Sequence, residues 1–168
     1  MKLFRTLRGF LSGREPDEPD YFAYSATLRV FGEALDFDEI TRRVGVAPTS
    51  SHRKGDKQGP LSPGFRRDLW SYSPPLAEEQ PLEDHINALW EQIRPARDYL
   101  VSLKKTATVD VFLGYRSNID HAGVEVPHTC LEMFTSLEIP FGLSIIVTGP
   151  TANMPLKLSV GRGRPPAA

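Results

Sequence analysis

Tyr24-Ser25-Ala26-Thr27-Leu28-Arg29-Val30 alternates apolar and polar side chains residue by residue, and Val109, Val111, Leu113 and Tyr115 alternate again with Asp110, Phe112 and Gly114. A period of two marks an extended strand with one buried face. Elsewhere the period lengthens to that of a helix. Asp36 followed by Glu39 resembles a capping box, in which each side chain satisfies an orphan amide. Phe37, Ile40 and Val44 then form a short stripe that Gly45 is placed to end. Leu82, Ile86, Leu89, Trp90 and Ile93 form a longer stripe with His85 on the polar side of its helix, and Pro95 kinks or breaks it. Ala96, Tyr99, Leu100 and Leu103 carry the pattern beyond. Pro127 suits the first turn of a last helix, with Cys130, Met133, Phe134 and Leu137 on one face. Trp70 and Tyr72 mark a short strand, and Phe141, Leu143, Ile145 and Val147 the final one. The order is strand, helix, strand, helix, strand, helix, strand, and each strand has one apolar and one mixed face. That pattern predicts an α+β fold, a two-layer α/β sandwich with an about four-stranded sheet and helices on one face. Strand order stays open.

The chain has 168 residues and a mass of 18.8 kDa, enough for one domain with its own core. Gly and Pro crowd into three regions, which predicts an arm at 1–20, a single domain at 21–148 carrying a long structureless loop at 45–67, and a Gly/Pro/Arg tail at 149–168. Lys plus Arg is 20 and Asp plus Glu is 21, a balance that excludes a strongly basic nucleic-acid protein. Cys130 is alone, so no intrachain disulfide framework exists, and a reducing, cytoplasmic compartment is the expectation. No apolar run approaches the roughly 20 residues of a membrane span.

Several segments in order carry a resemblance. Tyr24 through Val30 is followed by Asp38-Glu39-Ile40-Thr41-Arg42-Arg43-Val44-Gly45-Val46-Ala47-Pro48-Thr49, then by Arg53-Lys54-Gly55-Asp56, Leu69-Trp70-Ser71, and Leu131 through Leu143 with its Leu137-Glu138-Ile139-Pro140. Over about residues 23–147 the chain resembles the bacterial domain-of-unknown-function family 4279. The resemblance implies a small single-domain bacterial protein and assigns no catalytic residue.

Candidate binding residues lie in two places. Segment 42–67 holds Arg42, Arg43, Arg53, Lys54, Lys57, Arg66 and Arg67 against one acid, Asp56. Such a loop suits an anion or an acidic partner, with Arg43, Arg53, Lys54, Lys57, Arg66 and Arg67 as its contacts. Alternatively, it merely balances the acidic stretch 78–98, and Arg53-Lys54-Gly55-Asp56 reads as a turn with Gly55 at positive φ. The second place is the sheet face turned from the helices. There Arg29, Phe31, Asp110 and Phe112 form an apolar surface with an Arg29–Asp110 pair, which a partner or a second copy would cover.

The leading expectation is therefore a non-enzymatic interaction or regulatory module with a protein partner or a homo-oligomer. One alternative is nucleic-acid or phosphate-ligand binding through loop 42–67 and the tail, whose Arg162-Gly163-Arg164-Pro165 resembles an AT-hook core without its flanking cations. Another is a small-molecule cleft between loops 45–67 and 116–126, with Arg67, Asp56, His121 and His128 as its chemistry. Residues 1–11, apolar at Leu3, Phe4, Leu7, Phe10 and Leu11 and basic at Lys2, Arg5 and Arg8, suit weak membrane contact or a partner groove. His128 and Cys130 point roughly 200° apart on a helix and cannot share an ion. With no His-Glu-x-x-His pair, phosphate loop or nucleophile elbow, the expectation is no catalytic residue, no cofactor and no metal.

Overall fold

Strands β1 (Phe22–Gly32) and β4 (Thr108–Ser117) run antiparallel in unbroken register, from Phe22 opposite Ser117 to Phe31 opposite Thr108. They form the centre of the sheet in a computed structural model that describes residues 21–118 and 123–148. Around them lie α1 (Phe37–Val44), β2 (Ser50–His52), β3 (Asp68–Tyr72), α2 (Leu82–Ile93), α3 (Arg97–Leu103), α4 (Leu131–Leu137) and β5 (Leu143–Val147). The sheet has five strands in the order β2-β3-β1-β4-β5. All neighbours are antiparallel except β4 and β5, which are parallel and joined by a crossover through α4.

The core lies on one side of the sheet. Ala26, Leu28 and Val30 of β1 and Val109, Val111 and Leu113 of β4 are buried against Ile40, Ile86, Leu89, Ile93, Leu100, Met133 and Leu137 of the helices. Each fully buried Leu or Ile contributes about 1.5–3 kcal/mol relative to exposure. The alternate side chains, Thr27, Arg29, Phe31, Asp110 and Phe112, are only half-buried and face away. The two-layer α+β architecture with helices on one face is thus present.

The helix punctuation follows local chemistry. The Asp36 carboxylate accepts the Glu39 amide at 2.9 Å, and Gly45, at φ +82°, donates its N–H to the Thr41 carbonyl. Pro95 breaks the second stripe as a 3-10 turn, Arg94–Ala96, between α2 and α3. A second 3-10 turn, His128–Cys130, precedes α4, and the last strand starts at Leu143, two residues after Phe141.

The structure departs from the sequence expectations in three places. The fifth strand, β2, lies inside the segment expected to be structureless; its Ser-Ser-His has no apolar alternation to betray it. The loop after it is pinned by backbone bonds described below. His85 is buried rather than on a polar face: its ring lies against the Ala77 and Gln80 backbone, and its Nε2 has no hydrogen-bond partner among the described residues. Burial, as the largest cause, pushes the His85 pKa below its ordinary 6.5. Residues 1–20, the tail 149–168 with its Arg162–Pro165 unit, and His121 lie outside the described residues. Among the described residues no helix is long and apolar enough to cross a membrane.

Candidate functional site

The loop between β2 and β3 is built from a turn upward. Asp56 accepts the Arg53 amide on its carboxylate at 2.7 Å and returns its own N–H to the Arg53 carbonyl, with Gly55 at φ +92°. That left-handed conformation favours glycine. Gly55 N–H then meets the Phe65 carbonyl at 2.8 Å, and Phe65 N–H meets the Asp56 carbonyl at 2.9 Å, so the loop closes on itself. Gly64 backs so closely on Gly55 that a Cβ there would lie 2.8 Å from the Gly55 oxygen.

Asp68, at the start of β3, ties this loop to the sheet. Its buried carboxylate accepts the Lys54 amide at 2.7 Å, the Leu35 amide at 2.9 Å and Arg53 Nη1 at 3.0 Å. The Lys54 amide bond is the foremost of the causes that hold the Asp68 carboxyl below its usual range. Arg53 also donates to the Leu35 carbonyl and lies 3.6 Å from the centroid of the Phe37 ring. The Lys54 ammonium meets Glu33 at 3.0 Å. Arg53 and Lys54 are therefore engaged in holding the loop, and their acids are Asp68 and Glu33 rather than the 78–98 stretch.

The pinned loop stacks Phe65 on His52, ring centroids 3.5 Å apart and 14° from parallel. Together they wall a cleft of about 430 Å³ on the open sheet face. Phe31, Thr108 and Asp110 form its floor, and the exposed Arg66 and Arg67 its rim. Behind the floor, Asp110 grips Arg29 through two hydrogen bonds of 2.8 and 2.9 Å. The Arg29 guanidinium lies 5.1 Å from the Phe31 ring centroid and 4.9 Å from that of Phe112. Since Asp110 is neutralised by Arg29, the cleft presents an aromatic floor and a net positive rim. Neither Arg66 nor Arg67 has an ion pair or hydrogen bond among the described residues.

The structure thus brings Phe31, Asp110, Arg66 and Arg67 together, with Arg29 and Phe112 beside them. Lys57 is exposed near the loop tip, outside the cleft. Arg43 belongs to the helix layer, 4.7 Å from the centroid of the Tyr99 ring. Among the described residues, the groups expected to form a small-molecule cleft between loops 45–67 and 116–126 lie apart: Thr108, at Arg67's end, and Ser117 are opposite ends of β4, and Asp56 is occupied within its turn. His128 is exposed, whereas Cys130 is buried near the Asn87 side chain, and burial pushes its thiol pKa up. No cluster of three metal-binding side chains exists among the described residues. A second hollow of about 330 Å³, among Trp90, Arg94, Arg97 and Ser136, lies in the helix layer, where Arg97 is tied to the Ser136 carbonyl and to Asp98.

Sequence reasoning missed His52, Phe65 and Asp68. The available signal was weak: Asp68 is an acid following Arg66-Arg67 directly before the apolar Leu69-Trp70.

The family model described as Domain of unknown function (DUF4279) matches residues 22–148. The chain belongs to that family. The DUF4279 match begins at the first residue of β1 and ends one residue after β5, so it spans every described strand and helix, the cleft included. No curated protein and no solved structure matches the chain.

Proposed function

We propose that the DUF4279 domain is a non-enzymatic interaction module that recognises an acidic segment of a protein partner on its open sheet face. The single observation supporting this is the pair of exposed arginines, Arg66 and Arg67, unengaged among the described residues and set at the rim of an aromatic cleft. The cations steer the acidic segment, and burial of an apolar anchor against Phe31 and Phe65 then holds it. Phe112 and Arg29 extend the contact surface. A cytoplasmic site of action fits the lone free thiol, Cys130.

Nucleic-acid or phosphate binding through loop 42–67 is the second reading, supported by the same two arginines. It is weakened by Arg53 and Lys54, whose charges already meet Asp68 and Glu33.

Synthetic acidic peptides carrying one aromatic residue, titrated by fluorescence anisotropy, test the first reading. Binding is expected to weaken at least about tenfold in Arg66→Glu/Arg67→Glu and to fall with added salt, while Phe31→Ala weakens it without altering the salt slope. Peptides that bind the double variant as tightly as the wild type refute the reading. Binding of an A·T-rich duplex at low salt, with no peptide bound, favours the second.

A further inference from the structure

The two edges of the sheet differ in kind. The β2 edge is three residues long, polar, and continues directly into the pinned loop. Short, interrupted edges of this sort discourage further pairing. The β5 edge has none of these protections. Across Leu143-Ser144-Ile145-Ile146-Val147-Thr148 there is no charge, no proline and no glycine, and among the described residues β5 pairs with β4 alone.

Its side chains are those of an interior strand. Tyr115 pairs with Ile145 and Ser117 with Val147, which sets Ile145 and Val147 on the helix side. Arg116 pairs with Ile146, which sets Ile146 on the open face. A strand apolar on both sides is ordinarily flanked by strands and covered on both faces. Here Ile145 is 58% exposed and Ile146 54%, with Val147 and Phe141 close behind.

We infer that β5 is a self-association edge, on which a second copy of this chain pairs its own β5 antiparallel to form a continuous ten-stranded sheet. The absence of charge suits a second copy as the occupant. A two-fold interface places the same patch opposite itself, so any cation or anion on the strand would meet its like, and β5 carries none. An axis normal to the sheet keeps both helix layers on one side. It gathers Ile145 and Val147 of both copies on the helix side and Ile146 on the other. Two strands of this length bury less than a standard-size interface, which predicts micromolar association rather than an obligate dimer. The aromatic cleft reaches from His52 of β2 to Thr108 and Asp110 at the start of β4, whereas β5 pairs with the other end of β4, Leu113–Ser117, so pairing through β5 leaves the cleft of each copy free. The inference stands independently of what the cleft binds.

Sedimentation equilibrium of the full chain, over concentrations bracketing the micromolar range, is the test, with hydrogen exchange followed in parallel. A monomer–dimer equilibrium is expected, with β5 amide protection that rises as dimer forms. Ile146→Lys and, on the opposite face, Ile145→Lys are each expected to raise the dissociation constant at least about tenfold while retaining the wild-type circular dichroism. Leu61→Lys, which changes an apolar side chain fully exposed on the distant loop, is expected to leave it unchanged. A chain that stays monomeric throughout overturns the inference. Concentration-independent protection of β5 in that monomer would mean that the same chain, for example residues 149–168, covers the edge instead; unprotected amides would leave the edge to a different partner. A dimer indifferent to both lysine substitutions overturns it as well.

Discussion

Removing the Arg29–Asp110 pair tests whether the floor of the cleft is electrostatically built. The two residues are directly opposite in the β1–β4 register, and the guanidinium and carboxylate meet through two parallel hydrogen bonds of 2.8 and 2.9 Å. Two charges at about 4 Å attract by roughly 4 kcal/mol in a surface-like dielectric before desolvation and side-chain ordering are subtracted. Their side chains are 32% and 34% exposed, so screening takes a further share. Exposed pairs retain about 0.2–1 kcal/mol and cross-strand pairs a similar amount. The two-pronged geometry puts this one at the upper end, about 1 kcal/mol of coupling. Arg29 also meets the rings of Phe31 and Phe112, each contact worth about 0.5 kcal/mol at a partly exposed site. Arg29→Met is therefore expected to cost about 2 kcal/mol and Asp110→Asn about 1 kcal/mol. Urea unfolding of the wild type, both single variants and the double variant closes the cycle. In about 1 M salt, where the screening length is roughly 3 Å, the coupling is expected to fall by about half. A coupling below about 0.3 kcal/mol refutes the electrostatic account. Equal costs for the two single variants refute the ring contribution.

Three further perturbations probe the scaffold. Asp68→Asn tests the anchor of the loop: the carboxyl pKa is lowered in the folded state, so its stabilisation is present above the ordinary 3.8 and is lost as pH falls through the lower folded value. The Asn variant should be less stable at neutral pH and show a flatter acid limb in pH-dependent urea unfolding; an unchanged acid limb contradicts the assignment. Gly64→Ala should destabilise by about 1–3 kcal/mol and speed proteolysis within the loop, because its Cβ meets backbone at Gly55. Gly59→Ala, which meets only the Ser62 side chain at 3.7 Å, should stay within about 0.5 kcal/mol of wild type, and equal thermal shifts for the two would contradict the close approach. His85 should titrate below 6.5 by NMR; since its folded pKa is depressed, the unfolded chain takes the proton first and stability declines as pH falls through 6.5. A midpoint at or above 6.5 would show that the ring is not desolvated.

Much of the frame was legible because strong periods encode it. The alternation of β1 and β4 gives both faces of the central strands, and with them the outward Arg29 and Asp110 that the register then sets opposite each other. Asp36, Glu39 and Gly45 announce α1 through the backbone groups they satisfy. The loop's role was not legible. Ser50-Ser51-His52 pairs through its backbone, which no side-chain period reports. The contact between His52 and Phe65 depends on the backbone bonds of Phe65 with Gly55 and Asp56, a closure that composition does not encode. Charge counting showed that Arg53 and Lys54 are cationic but not which acids claim them. Asp68 looks like a surface acid beside two arginines until β3 carries it to where β1, α1 and the loop converge. His85 fits the polar side of a helical wheel, and only tertiary packing, which no wheel reports, removes it from water.

The pairing of β1 with β4 also governs how the chain reaches this state. These strands make the most extensive contact in the sheet, yet Arg29 and Asp110 are 81 residues apart, and Tyr21 and Asn118, which meet just beyond the strand ends, 97. Closing so distant a contact costs chain entropy before any burial rewards it, which makes folding slower than for a domain built from local contacts. On the ribosome, β1 emerges early and then waits for β4 while most of the domain is synthesised. During that interval its apolar side is the surface most in need of a chaperone.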